Sequence, residues 1–256
     1  MTIHAFQRSL EQKLTELGAE SPRFDAAQLL RWLSGQEQAW LIAHTADPCP
    51  EDWQSRAEDA LARLRNGEPL QYLLGEWEFY GLTLAVGPGV LIPRADTETV
   101  VDACLERLTP APGPVIWDLC SGSGGIGIEA ISRGARHAYF VENGREPAKC
   151  IAENLHFTKF EDRATLLKQD VVSALSSIHE KEADVIFMDP PYQSGLEEPV
   201  LAALSRMPYV TDETLIVIEA TLDRDFSFAE EYGFSIKKEK CYKTNKHVFL
   251  AKEEKK

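Results

Sequence analysis

Asp189-Pro190-Pro191-Tyr192 is the segment whose residue types most narrowly restrict the chemistry they can do. Proline has no amide hydrogen and a fixed φ, so two in a row make a rigid turn. The turn follows Asp184-Val185-Ile186-Phe187-Met188, which reads as a strand. It therefore lies at a strand's carboxyl end, where open α/β sheets bind ligands. Such a turn can aim the Asp189 carboxylate and the Pro190 carbonyl at one planar NH2 group. Two acceptors on that group favour localising its lone pair toward an electrophile. Tyr192 offers a ring face for a planar substrate. The matching reaction is in-line transfer to an amino or amide nitrogen, driven by positioning and electrostatics, and it needs neither a metal nor a covalent nucleophile. The plainer alternative for the four residues is a strand-to-loop turn.

A second constellation is Asp118-Leu119-Cys120-Ser121-Gly122-Ser123-Gly124-Gly125-Ile126-Gly127, where a strand meets a helix. Glycines there let the backbone turn tightly and approach a ligand. The helix start behind them offers free amides. Gly122-x-Gly124-x-x-Gly127 matches the dinucleotide spacing, a weak signal that leaves a dinucleotide, another nucleoside ligand or a packing turn open. Glu142 ends the next strand, 18 residues after Gly124. A carboxylate in that place can accept both hydroxyls of a ribose, which points to a nucleoside without naming it. After the third strand comes Gln169-Asp170-Val171. Asp170 there suits an adenine amino group, with Val171 against the ring, or equally the N-cap of a short helix.

These residues need elements to hold them. Phe6, Leu10, Leu14 and Leu17 recur at helical spacing, as do Phe24, Ala27, Leu30 and Leu33, and then Trp53, Ala57, Ala60, Leu61 and Leu64. Together they predict a small helical bundle at the front of the chain. Trp77, Phe79, Leu82, Leu84, Val86 and Val90 around Gly81, with Gly87-Pro88-Gly89, predict a β-hairpin. A helix from Asp96 or Thr97 to about Leu108 follows, with Asp96 as N-cap. Residues 109–114 form a proline-rich linker. From Val115 onward strands and helices alternate, which predicts a mostly parallel, doubly wound α/β sheet. The expected division is 1–72 helical, 73–110 hairpin and connecting helix, and 111–256 ligand-binding domain.

The 256 residues include 27 Lys/Arg and 41 Asp/Glu, a formal charge of −14. Residues 1–110 contribute −8 of this, from 9 Lys/Arg against 17 Asp/Glu. Acidity in both halves disfavours a polyanionic partner. The dense basic cluster Lys237, Lys238, Lys240, Lys243 and Lys246 reads as a solvated strand edge. The five cysteines are scattered with no Cys-x-x-Cys pair, so neither a zinc site nor a disulfide framework is expected. No apolar run approaches the ~20 residues of a membrane span. Met1 to Leu10 has no secretory pattern, so the cytoplasm is the expected compartment.

The chain resembles class I S-adenosylmethionine-dependent methyltransferases over residues 115–251, and two families within that class. Residues 1–108 are similar to the family that methylates the glutamine of peptide-chain release factors. That resemblance is carried by Pro69-Leu70-Gln71-Tyr72-Leu73-Leu74-Gly75, Phe79-Tyr80-Gly81-Leu82, and Gly89-Val90-Leu91-Ile92-Pro93-Arg94-Ala95-Asp96-Thr97-Glu98. The family typically has Pro-Arg-Pro-Glu-Thr-Glu, where this chain has Ala95 and Asp96. Residues 115–251 resemble the family that methylates guanine N2 in 16S, small-subunit ribosomal RNA. Here the carriers are Gly127-Ile128-Glu129-Ala130-Ile131-Ser132-Arg133-Gly134-Ala135, Phe140-Val141-Glu142, Glu153-Asn154-Leu155 and Asp189-Pro190-Pro191-Tyr192. The glutamine family usually has Asn-Pro-Pro-Tyr and a longer loop after it.

The resemblance implies a class I, Rossmann-like sheet behind a helical substrate-recognition domain. It also implies S-adenosylmethionine as cofactor and a release factor as protein substrate, with small-subunit rRNA as the alternative. Asp118, Cys120, Ser121, Gly122, Ser123, Gly124, Glu142, Asp170, Val171 and Asp189 would bind the cofactor. Asp189, Pro190, Pro191 and Tyr192 would act on the substrate, with Arg94 on the substrate side; an ion pair with Glu98 is the plainer role for Arg94.

Overall fold

The computed structural model describes residues 1–93, 97, 101–102, 113–180, 182–192 and 194–253. It divides into two compact units, Met1–Glu76 and Trp77–Lys256. The sequence-read helix over 96–108, with its Asp96 cap, lies outside the described residues apart from Thr97, Val101 and Asp102. Arg94 lies outside them as well.

The first unit is helical: α1 (Ile3–Glu16), α2 (Pro22–Ser34), α3 (Gln38–Ala43), α4 (Glu51–Arg65) and α5 (Leu70–Leu74). Its ends follow local rules. The Thr2 hydroxyl accepts from the Ala5 amide at 3.2 Å to cap α1. Pro22 opens α2, and Gly35, at φ 64°, closes it in the left-handed region that a side chain would strain. Phe6, Leu10, Leu14, Leu29, Leu30, Leu33, Trp53 and Leu61 share one core. The two short helices, α3 and α5, escape a reading by spacing because neither is long enough to repeat its apolar face.

The second unit opens with a hairpin, β1 (Glu76–Phe79) and β2 (Leu82–Ala85). Then come β3 (Val115–Leu119), α6 (Gly125–Ser132), β4 (His137–Val141), α7 (Arg145–Thr158), β5 (Ala164–Leu167), α8 (Val171–Ser177), β6 (Val185–Met188), α9 (Glu197–Leu204), β7 (Leu215–Thr221), β8 (Phe234–Cys241) and β9 (Asn245–Lys252). The large sheet has the order β5-β4-β3-β6-β7-β9-β8. β5 to β7 run parallel, while β9 joins antiparallel to both β7 and β8. Every residue of β3 and β6 is buried, as a strand covered on both faces requires. Val115, Trp117 and Leu119 point into one core, and Ile116 into the other with Phe140, Phe187 and Val217.

The strand order reverses at β3: the chain steps outward through β4 and β5, then returns to β6 on the other side. A crevice opens outside the carboxyl ends at such a switch point. Phe79 and Leu84 of the hairpin belong to the core on the α6 side of the sheet. A Cβ on Gly125 would stand 3.2 Å from the Phe79 ring, so the glycine lets the hairpin seat on the start of α6. β8 is the sheet's edge, and the exposed Lys237 and Lys238 lie along it, as an edge strand needs to resist pairing with another chain. Lys246 departs from that reading. It sits on β9, is 7% exposed, and its ammonium bonds Glu239 at 2.8 Å.

Candidate functional site

The carboxyl ends of β3, β4, β5 and β6 surround a cavity of 420 Å3. Such a volume suits a nucleoside-sized ligand. Nine of the sequence-read residues line it: Cys120, Gly122, Glu142, Asp170, Val171, Asp189, Pro190, Pro191 and Tyr192. Asp118, Ser121 and Ser123 line an adjoining smaller cavity, which shares Cys120, Gly122 and Asp189 with the first. Gly124 lines neither and shapes the loop instead. Asn143, Pro147 and Leu196 line the large cavity without having been singled out by sequence, as does Leu91, which enters the sequence reading only within a family motif. Adjacency to Glu142 was the available signal for Asn143.

The loop after β3 is held by both main-chain and side-chain bonds. The Cys120 amide donates to the Val141 carbonyl at 2.9 Å, which ties the loop to the end of β4. Cys120 has φ 61°, unusual for a residue with a Cβ. The Ser121 hydroxyl donates to the Asp118 carbonyl and accepts from the Val141 amide at 3.2 Å. A Cβ on Gly127 would fall 2.4 Å from the Phe140 ring, so only glycine lets α6 approach β4 here. Asn154 on α7 completes the frame. Its side chain accepts from the Ala85 amide at 2.6 Å and donates to the carbonyls of Ala85 and Ser123 at 3.1 and 3.0 Å. One buried amide thus joins the hairpin, the loop and a helix. No periodicity rule marks such a residue, and only the motif Glu153-Asn154-Leu155 hinted at it.

Carboxylates occupy the amides that a phosphate would want. The Glu142 carboxylate accepts from the Gly122 amide at 3.1 Å and from the Gly144 amide at 2.7 Å. Asp118 accepts from the Gly127 amide at 3.1 Å. Asp170 accepts from the Ser173 amide at 3.0 Å and so caps α8 while still bordering the cavity. The Ser173 hydroxyl and amide hold its carboxyl below the usual range. Among the described residues that line the large cavity, the charged ones are Glu142, Asp170 and Asp189, with no cation among them. Burial pushes the Cys120 thiol up to about 12, helped by the charges of Glu142, Asp189 and Asp118. Such a field repels a pyrophosphate and favours a ligand carrying positive charge and hydroxyl donors. The dinucleotide reading of the glycine spacing loses its support at this point.

Asp118 is 2% exposed. Burial raises its pKa to about 7, against the pull of the Gly127 amide and with help from the Glu142 charge. The folded chain therefore holds a proton on Asp118 that the unfolded chain releases near the ordinary value of 3.8. A raised pKa of this kind stabilises the fold fully below the unfolded value, and that contribution is lost as pH rises through the folded one. Urea unfolding should accordingly show stability falling between pH 4 and pH 7 by up to a few kcal/mol on this account, roughly. Asp118→Asn, which keeps the acceptor for Gly127, should flatten that part of the profile. Identical slopes in the variant and the parent chain would refute the assignment.

At the other side of the site, the Asp189 amide donates to the Leu119 carbonyl at 3.3 Å, which carries the β3–β6 pairing into the turn. Pro190 is buried, while Pro191 and Tyr192 are exposed. The Tyr192 hydroxyl donates to Glu219 at 3.2 Å. The turn thus presents a carboxylate, a carbonyl and a ring face beside the glycine loop.

Comparison with known proteins supplies the lineage of both units. Residues 90–251 match the family model described as conserved hypothetical protein 95, and residues 6–75 match the PrmC N-terminal domain. A release factor glutamine methyltransferase of Moorella thermoacetica is 34% identical, over 79% of this chain and 71% of the relative. One from Bordetella pertussis is 33% identical over 67% of this chain. The latter match covers 62% of that relative, less than two thirds of its length. Among solved structures, a methyltransferase from Escherichia coli aligns with TM-score 0.56 at 25% identity, over 71% of this chain and 100% of that one.

Proposed function

The chain belongs to the release factor glutamine methyltransferase family, and we propose that it moves a methyl group from S-adenosylmethionine to the side-chain amide nitrogen (N5) of a glutamine in a peptide-chain release factor. The observation that carries the proposal is that Glu142 and the Asp189 turn border one cavity free of cations among the described residues. S-adenosylmethionine brings a sulfonium, a ribose and an adenine, and when bound it supplies an electrophilic methyl group. Glu142 uses one lone pair of each oxygen on the Gly122 and Gly144 amides, which leaves acceptor capacity for two ribose hydroxyls. Val171, 5% exposed at the start of α8, offers an apolar wall for the adenine. Asp189 and Glu142 supply the negative field that a sulfonium prefers.

On the substrate side, the Asp189 carboxylate and the Pro190 carbonyl would accept the two hydrogens of the glutamine NH2. Holding both hydrogens would fix the plane of the NH2 group, so that the nitrogen lone pair, perpendicular to that plane, faces the methyl carbon. The nitrogen would gain a bond to the methyl carbon as the carbon–sulfur bond breaks and its electron pair stays on sulfur as a neutral thioether. The nitrogen would then give up one proton, for which Asp189 is a neighbouring acceptor. Tyr192 would lie against the planar amide. The helical unit, by its match to the PrmC N-terminal domain, is the proposed surface for the release factor. The reading carries a cytoplasmic location with it, where translation ends.

Asp189 favours a second reading. A carboxylate accepts from an amide NH2 but cannot donate to the amide oxygen, whereas guanine presents two neighbouring N–H donors that two carboxylate oxygens can take. That geometry suits guanine N2 of small-subunit rRNA. The −14 charge opposes it, because phosphate contacts carry much of the affinity for RNA. Labelled S-adenosylmethionine offered with either release factor or unmethylated small subunits separates the two. Label is expected in the release factor, on glutamine. Label confined to RNA would overturn the protein reading.

A further inference from the structure

Glu219 is fully buried on β7, one residue beyond the Met188–Ile218 pair and therefore beside Asp189. Burying a carboxylate is costly, and folds tolerate it where donors converge. Three converge here. The Asn245 side-chain amide donates to one oxygen at 2.9 Å, and the Tyr192 hydroxyl donates to the same oxygen at 3.2 Å. His247 Nε2 stands 3.3 Å from the other oxygen. Asn245 and His247 are themselves fully buried on β9, and the backbone ladder already pairs them with Thr221 and Glu219. The His247 ring is pinned by Tyr242 at 4.9 Å and Phe187 at 6.5 Å. His247 Nδ1 and Asn245 Oδ1 are buried with no hydrogen-bond partner among the described residues. Strand pairing alone does not call for a charged group at this point, nor for orphaned polar atoms around it. A donor from outside the ladder comes from Tyr192, a residue of the Asp-Pro-Pro-Tyr turn that is exposed and on the cavity wall.

We propose that Glu219, held by Asn245 and His247, is a positioning residue that fixes the Tyr192 ring against the planar group being methylated. Glu219 touches neither substrate nor cofactor in this scheme; it acts through the Tyr192 hydroxyl. The proposal rests on the N-methyltransferase reading, with Tyr192 facing the substrate. Tyr192→Phe keeps the ring and removes the tether. Glu219→Gln keeps the volume and removes the charge that holds the hydroxyl.

Each single variant of the full chain is expected to lose roughly tenfold in kcat/KM for release factor, the scale of one hydrogen bond to a charged group. The double variant should be no worse than the poorer single one, because both changes cut the same contact. The dissociation constant for S-adenosylmethionine should stay the same in Glu219→Gln. Multiplying losses in the double variant would mean that Glu219 acts elsewhere and would overturn the proposal. So would undiminished kcat/KM in Tyr192→Phe, a result available even if Glu219→Gln fails to fold. A second readout is independent of turnover. In protein labelled with 13C-tyrosine, the Tyr192 ring signal, assigned by its disappearance in Tyr192→Phe, should shift in Glu219→Gln. An unmoved signal refutes the tether. If the parent chain labels no release factor, the function reading fails by itself, and the ring signal still decides the tether.

Discussion

Asp189→Ala is expected to cut methyl transfer to release factor by roughly 10²–10³-fold while leaving S-adenosylmethionine binding largely intact. The scale is that of removing one preorganised polar group aimed at a reacting centre, of order 10²–10³. The logic starts from the turn. Pro190 and Pro191 fix its backbone, and the Asp189 amide is tied to the Leu119 carbonyl, so alanine leaves the main chain where it was. What disappears is one of two acceptors on the substrate NH2. The remaining Pro190 carbonyl can hold one hydrogen but cannot prevent rotation about that bond. The amide plane is then free to turn, and the lone pair is no longer directed at carbon. Single-turnover rates with a release factor, read beside the cofactor's dissociation constant, test this. Unchanged turnover would remove Asp189 from the mechanism.

Asp189→Asn sharpens the same point. Its oxygen still accepts, and its NH2 can donate to the glutamine oxygen, the contact a carboxylate cannot make. Activity on glutamine should therefore survive in this variant. Were guanine the substrate, an NH2 set against a ring N–H donor would depress the rate. The Asn of the related Asn-Pro-Pro-Tyr turns and the Asp of this one are thus separable by a single substitution.

The sheet was legible because its strands are apolar runs such as Val115–Leu119 and Ala183–Met188, each broken by chemistry that ends a strand. The lining of the candidate cavity was legible to the same depth, since glycine spacing and a double proline are main-chain signals and survive without tertiary context. Less visible were the functions of side chains that face inward. Asp118 reads as a cavity residue and lines the smaller cavity, and its carboxylate also accepts from the Gly127 amide. Glu219, Asn245 and His247 lie on two strands 26 to 28 residues apart, and only the β7–β9 register brings them together. Lys246 reads as one of a solvated basic cluster, but β9 is buried on both faces here and the Lys246 ammonium bonds Glu239. Register brings the residues of the Glu219 cluster together, and register is a property of paired strands rather than of one.

The same distinction decides what to expect at Glu142. Glu142→Ala should weaken S-adenosylmethionine by about 10- to 100-fold, since hydrogen bonds to a charged group are worth roughly 1.5–3 kcal/mol and each 1.4 kcal/mol is tenfold. Part of the loss is indirect. The carboxylate also holds the Gly122 and Gly144 amides, so its removal frees the two backbone segments that shape the cavity mouth. Glu142→Gln discriminates size from chemistry. Glutamine has one acceptor oxygen, so its NH2 must confront either the Gly122 or the Gly144 amide hydrogen, and fewer lone pairs remain for hydroxyls. The near-isosteric variant should therefore bind almost as poorly as alanine. Calorimetric titration with S-adenosylmethionine checks both variants, and a companion titration with a 2′-deoxyribose analogue localises the effect. The analogue should lose affinity in the parent chain and lose little more in Glu142→Ala, because the acceptor it would have used is already gone. An unaltered dissociation constant in Glu142→Ala would detach the ribose from Glu142.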